Sequence, residues 1–168
     1  MKNQLKIFAP LLLMIVFSCK VKYGFKGISI PPEAKSISVL YFQNNATMAN
    51  PVEAQKFTEK LRDMVSSQTN LALTKQNGDL QFEGYIADYT VVPVAIQSTD
   101  QAALNRLTVT IHVKYSSKLE PAKNFEQNFS RFYDYSASKT LTAIEGEALD
   151  EINRQITEDV FQRAFNNW

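Results

Sequence analysis

The residues best placed to do chemistry sit together on one alternating stretch. Between Asn105 and Tyr115, Arg106, Thr108, Thr110, His112 and Lys114 alternate with Leu107, Val109, Ile111, Val113 and Tyr115. A β-strand points successive side chains to opposite faces, so the polar set shares one face and carries Arg106, His112 and Lys114 in a row. Arg and Lys pair with phosphate through charge-assisted hydrogen bonds, which is the chemistry this face offers. The competing reading is an ordinary solvated sheet face, the commoner fate of such a charge run. Nothing else in the chain assembles a reaction centre. His112 is the only histidine and Cys19 the only cysteine. Glu147 and Glu151 lie one helical turn apart, with Glu158 and Asp159 beyond. Paired carboxylates can move protons, but on a polar helix face they are usually just solvated. Phosphate-loop, His-Glu-x-x-His and Cys-x-x-Cys patterns are absent from the sequence. The expectation is no catalysis, no metal and no cofactor.

Cys19 closes a different pattern. Lys2 and Lys6 form a basic head, and Ile7 to Phe17 is apolar, broken only by Pro10. That run is shorter than the roughly 20 residues a bilayer-spanning helix needs, and it has the parts of a secretory signal. Val16-Phe17-Ser18-Cys19 resembles the lipobox of bacterial lipoprotein signals, although Phe17 stands where a smaller residue is usual. The expected organisation is a signal peptide at 1–18, a lead at 19–32 whose first residue is lipidated, and a single domain at 33–168. Without the leader, 16 basic residues face 17 acidic ones. That balance gives no reason to expect nucleic-acid binding, which needs a basic surface. With one cysteine there is no internal disulfide, so packing alone must hold the domain. The lead carries Gly24, Gly27, Pro31 and Pro32 and should run extended, with Tyr23 and Phe25 either docked on the domain or at headgroup level.

The elements that must position the polar strand can be read in order. Ser36 to Phe42 alternates as a first strand. Asn50-Pro51-Val52-Glu53 has the form of a helix start, with Asn50 as cap, Pro51 in the first position and Glu53 closing a capping box. Ala54, Phe57, Leu61, Met64 and Val65 then make one apolar stripe, which predicts a helix from 51 to about 68. Asn70 to Thr74 reads as a short edge strand, and Gln76 to Asp79 as a turn. Leu80, Phe82, Gly84 and Ile86 alternate up to about Thr90, with Gly84 marking a bulge or a close backbone approach and Pro93 ending regular pairing. Gln97 to Ala103 is a polar connector. Phe125 to Tyr135 fits helix and strand spacing alike; its place after the Pro121 turn favours the strand. A long helix spans about Leu141 to Phe165, with Ile144, Ala148, Ile152, Ile156, Val160 and Ala164 stepping by four and Leu149 and Phe161 widening the stripe. Thr142-x-x-Glu145 offers it a capping box, and Gly146 suggests a start after that residue. The expected fold is therefore α+β: two helices on one face of a mostly antiparallel sheet of four or five strands, in the order β-α-β-β-β-α.

Several stretches together resemble the LPS-assembly lipoprotein family LptE, in its Bacteroidetes form. They are Cys19 with Tyr23-Gly24-Phe25-Lys26-Gly27, Ile37 to Phe42, Pro51 to Gln68, Gly78 to Gly84, Asn105 to Val109 and Phe161 to Trp168. The resemblance implies two helices on a four-stranded sheet. It also implies an outer-membrane lipoprotein, facing the periplasm, that plugs an LptD-like β-barrel, helps it assemble and supports delivery of lipopolysaccharide. The expected partners are that barrel, lipopolysaccharide, and the membrane through Cys19. An obligate plug leaves aromatic surface for its partner to cover, and Tyr85, Tyr89, Phe132 and Tyr135 are the candidates; Arg106, His112 and Lys114 are the candidates for lipid A phosphate. A freestanding periplasmic lipoprotein holding a small ligand or cell-wall component is the competing reading.

The anchor and the domain are separate parts, which makes the first testable expectation. Cys19→Ala should leave a folded domain and abolish membrane attachment, since more than one acyl chain is what makes such an anchor stable. Fractionation that finds the variant still processed and firmly in the membrane would overturn the lipidation.

Overall fold

A computed structural model describes residues 29–94 and 103–166. Cys19, Tyr23 and Phe25, and the connector expected at 97–103 apart from Ala103, lie outside the described residues.

The chain forms strands β1 (Ser36–Val39) and β2 (Gln43–Asn44), helix α1 (Glu53–Gln68), strands β3 (Ala72–Thr74), β4 (Leu80–Val94), β5 (Leu104–Ser117) and β6 (Phe125–Ser136), and helix α2 (Leu141–Phe165). A short 3₁₀ turn at Pro121–Lys123 joins β5 to β6. All six strands make one sheet in the order β3-β1-β4-β5-β6, with β2 also on β4. β4, β5 and β6 are an antiparallel meander, whereas β1 runs parallel to both β3 and β4, and β2 parallel to β4. The fold is α+β as expected, and the sheet is mixed. Parallel neighbours need a long crossover, and α1 supplies it between β1 and β3.

The ambiguous stretch at 125–135 is a strand, paired with β5 from Phe125 opposite Tyr115 to Ser136 opposite Leu104. β4 runs on past Thr90, and Pro93 sits inside its pairing, opposite Asn105. Beyond Ile86, β4 has no strand on its other side among the described residues. That is the edge-like setting in which a missing N–H is tolerated.

Both helices lie over one sheet face. α1 buries Ala54, Phe57, Leu61 and Val65; α2 buries Ile144, Ala148, Leu149, Ile152, Ile156, Val160, Phe161, Ala164 and Phe165. Ile37, Phe82, Ile86, Leu107, Val109, Ile111, Val113 and Tyr115 come up from the sheet to meet them. Phe82, Tyr115 and Phe165 pack as an aromatic triangle with centroids 5.0–6.1 Å apart, joining the two long strands to the end of α2. Such pairs add about 0.5–1.5 kcal/mol each beyond burial. The end of the lead is fixed at the same place: the Ser29 N–H donates to the Phe165 carbonyl, and Lys123 Nζ donates to Ser29 Oγ.

Two close fits set the register. The Asp79 carboxylate accepts from the Lys35 and Ser36 N–H groups and from Ser36 Oγ at 2.9–3.0 Å, stitching the start of β4 to the start of β1. Gly84 marks a close approach, not a bulge: a Cβ there would lie 2.0 Å from the His112 carbonyl oxygen and 2.6 Å from the Phe42 ring. The bulge comes three residues later. Ile86 pairs with Ile111 and Asp88 with Thr110, leaving Ala87 extra.

Neither helix is capped as its sequence suggests, although the second starts at Leu141 as its stripe predicts. α1 begins at Glu53, after a turn at Pro51 and Val52, and the Asn50 side chain accepts only from the Val52 N–H. α2 begins at Leu141, ahead of Gly146, with no side-chain cap, and Glu145 accepts from Tyr89 Oη instead of closing a box. Glu53 forms no box either. It is 1% exposed between the helices, where its Oε1 accepts a 2.7 Å bond from Asn153 Nδ2. Glu53 Oε2 and Asn153 Oδ1 have no partner.

Burial pushes the Glu53 carboxyl up to about 7, with Asn153 acting in the opposite direction. A folded-state value above the unfolded one means that the native protein binds the proton more tightly. The contribution of Glu53 is then fully present below about pH 4.5 and is lost as pH rises towards 7. Glu53→Gln should match the parent near pH 4.5 and exceed it above pH 7, by up to about 3 kcal/mol. Denaturant melts of both proteins across that range measure this difference; a pH-independent gap would show that folding does not raise the Glu53 value.

Candidate functional site

The face of the sheet turned away from the helices is where the expected site residues can be tested. Along β4, β5 and β6 it carries Glu83, Tyr85, Asp88, Thr90 and Val92, then Arg106 to Lys114 by alternation, then Glu126, Asn128, Ser130, Phe132 and Asp134. Residues opposite one another interact as cross-strand pairs. Lys114 meets Glu83 at 2.7 Å, His112 lies 3.0 Å from Glu126 and 2.8 Å from Asn128, and Thr110 bonds Ser130 at 3.0 Å. Arg106 donates two 2.7 Å bonds to Asp134, and its guanidinium lies 3.7 Å over the Phe132 ring.

Arg106, His112 and Lys114 thus share one face, as their alternation requires, but each faces a carboxylate. The Arg106 bonds hold Asp134 below the usual carboxylate range, and the Glu83 bond raises Lys114. The face is not cationic: Arg106 and Lys114 stand among four carboxylates, Glu83, Asp88, Glu126 and Asp134. Its ion pairs are largely solvent-exposed, so each adds little to stability; their role is register and solvation.

The four expected aromatic contacts divide. Tyr85 is on the open face, stacked on the His112 ring at 4.8 Å, and Phe132 is there too, 49% exposed. Tyr89 and Tyr135 are not: they are 2% and 6% exposed and belong to the core. For Tyr89 the cause is the extra residue at Ala87. Even-numbered residues point to the helices up to Ile86, and odd-numbered ones afterwards, so Tyr89 turns inward and its hydroxyl reaches Glu145. Desolvation raises the Tyr89 phenol well above its ordinary value, which keeps it a neutral donor. Tyr135 shares the inward parity of Phe125 and Phe129.

Two concavities flank Tyr41, which is 55% exposed just past the end of β1. One, of about 340 Å³, lies on the open face against Tyr85, His112, Lys114, Glu83 and Glu126. The other, of about 510 Å³, lies between α1, β3 and the Leu40-Tyr41 corner. Sequence reasoning missed the second, because its residues come from three separate segments that only the fold brings together.

The comparisons with known proteins follow the fold. Among curated proteins none matches this sequence. Three solved structures are similar in shape at low identity. A minor lipoprotein from Acinetobacter baumannii matches at 10% identity and TM-score 0.50, over 80% of this chain and 92% of that one. A hypothetical protein from Chlamydia trachomatis matches at 9% and 0.52, over 78% and 98%. A protein from Xanthomonas campestris matches at 13% and 0.51, over 80% and 88%. At these identities the likeness is one of fold. The sequence model of the Lipopolysaccharide-assembly family LptE matches residues 34–164, from the approach to β1 almost to the end of α2. The chain therefore belongs to the LptE lipopolysaccharide-assembly family.

Proposed function

We propose that the protein is an outer-membrane lipoprotein, anchored through Cys19 and facing the periplasm, which seats inside an LptD-like β-barrel, helps that barrel assemble and supports lipopolysaccharide delivery. The observation that carries this reading is the family match over nearly the whole domain. The open face is consistent with it. Barrel interiors are polar, so a plug needs a polar surface with a few aromatic anchors. The Glu83–Lys114 and Arg106–Asp134 pairs with Tyr85 and Phe132 fit that description. The competing reading of a freestanding small-ligand binder calls for one enclosed apolar pocket. The concavities found among the described residues each include charged groups in their lining.

Contact between lipid A phosphate and Arg106, His112 and Lys114 would be an exchange, in which each side chain trades its carboxylate for phosphate. That is a weaker and more reversible contact than capture by a bare cationic face. It gives these residues a role in passing the lipid on, not in holding it.

Depleting the protein should lower the amount of correctly assembled LptD-like barrel and make cells permeable to bulky antibiotics, because a bound partner stabilises the native state by mass action. Normal barrel levels and an intact permeability barrier after full depletion would defeat the proposal. The double variant Arg106→Gln with Lys114→Gln should slow lipopolysaccharide delivery more than it lowers barrel assembly. Undiminished delivery would remove the phosphate contact and leave the plug standing.

A further inference from the structure

Among the described residues, the outer edge of β6 is the one long strand border left undefended. β6 ends the sheet, pairs with β5 alone and runs for 12 residues without a register shift. It contains no proline and no lysine. Shortness, bulges, proline and lysine are the usual means by which an exposed edge is kept from pairing with another chain. The opposite side of the sheet uses them: β3 has 3 residues, and the open half of β4 starts at the Ala87 bulge and carries Pro93 near its end. The direction of the free groups on β6 follows from one bond. The Ala137 N–H donates to the Ala103 carbonyl at 2.9 Å, so that pair and every second pair along the ladder exchange their bonds with β5. Glu126, Asn128, Ser130, Phe132 and Asp134 alternate with those pairs and turn their N–H and C=O groups outward. The Ser136 carbonyl accepts from the Lys139 N–H, which closes the edge at that end. The middle of the border is bare on both faces, with Ser130, Arg131 and Phe132 all exposed.

We propose that this edge pairs with the same edge of a second copy, antiparallel across a two-fold axis, joining two sheets into one. A self-pairing edge meets its own charges, and these choose the register. Setting Arg131 on Arg131, or Glu126 on Asp134, places like charges directly opposite, which is destabilising. With Phe132 on Phe132 neither occurs. The two rings, each 49% exposed, then cover one another, and Ser130 comes opposite Asp134 on both sides of the axis. The Ser130 hydroxyl suits that place, since it accepts from Thr110 Oγ1 and keeps its own hydrogen to donate to the facing carboxylate. On the helix side Arg131 comes opposite Tyr133, whose hydroxyl donates to Glu147, so a cation lands beside a carboxylate. A two-fold interface is self-complementary and closes, so it yields a dimer and not a fibre. Phe132 is also one of the anchors offered to the barrel, and the two uses exclude one another. The dimer therefore belongs to copies that no barrel holds, and its test does not depend on the barrel.

Cross-linking with a short bis-maleimide tests the edge, on the lipidated protein purified without partners in nonionic micelles. Lipid on Cys19 leaves an introduced cysteine as the only free thiol. Phe132→Cys should link into dimers at least about fivefold more than Glu126→Cys, because at about 3.3 Å per residue the two copies of position 126 lie roughly 40 Å apart in this register. Added to Phe132→Cys, Ser130→Pro removes one outward N–H, a change that edge strands tolerate, and should cut linking to the level of Glu126→Cys. Ser130→Glu should do the same by facing Asp134, whereas Ser130→Lys should link at least as well as Phe132→Cys alone. Equal linking of Phe132→Cys and Glu126→Cys would reduce the contact to chance encounters within a micelle. Linking that Ser130→Pro and Ser130→Glu both leave unchanged would mean that no ladder is shared. Either result overturns the proposal, as does a loss of linking that is the same for Ser130→Glu and Ser130→Lys.

Discussion

The long antiparallel pairing of β4 with β5 is the constraint from which the rest follows. It runs from Leu80 opposite Ser117 to Val94 opposite Leu104, and every other strand attaches to one of these two directly or through β1. Because side chains alternate, one register decides at once which residues meet the helices and which meet water. Helix α2 can bury its unbroken stripe only if Phe82, Ile111 and Tyr115 rise together on its side. The open face is the complement of that choice. Its ion pairs are what remains when the apolar half of each strand has been committed to the core.

Within this ladder the single irregularity matters more than its size suggests. One surplus residue at Ala87 reverses the facing of the far half of β4. Tyr89 therefore enters the core near α2, bonded to Glu145, while Thr90 and Val92 turn outward. Gly84 works at the near end, where the His112 carbonyl and Phe42 come too close for any side chain. A flat, regular strand would satisfy neither end. The local twist that accompanies a bulge lets one strand serve the short parallel half of the sheet and the long meander together.

Much of this was legible in the residues. The step-by-four stripe of α2, the alternation of β5 and the turn before β6 each follow from periodicity, and periodicity survives tertiary context because burial enforces it. What failed to show were features without a period. The Ala87 bulge carries no mark in the sequence, so Tyr89 reads as exposed. Capping motifs at Asn50 and Thr142 are local competitors, and they lose when Glu53 and Glu145 find partners across the fold. Parallel pairing of β1 depends on how α1 crosses, which no local pattern records. The pairing of Arg106 and Lys114 was likewise hidden, because their carboxylates sit on neighbouring strands. Arg62, Leu73 and Lys75 become neighbours only once β3 is laid beside β1.

The docking of Ser29 on the Phe165 carbonyl has a consequence in length and concentration. With lipid on Cys19, nine residues separate the anchor from the first fixed point of the domain. A fully extended chain of that size reaches at most about 35 Å, close to the thickness of a single bilayer. The domain would then explore a small dome over the leaflet, in which one molecule corresponds to an effective concentration on the order of 10 mM. A partner or lipid held within that dome meets it at that concentration, so contacts far too weak to survive between freely diffusing molecules would still be occupied.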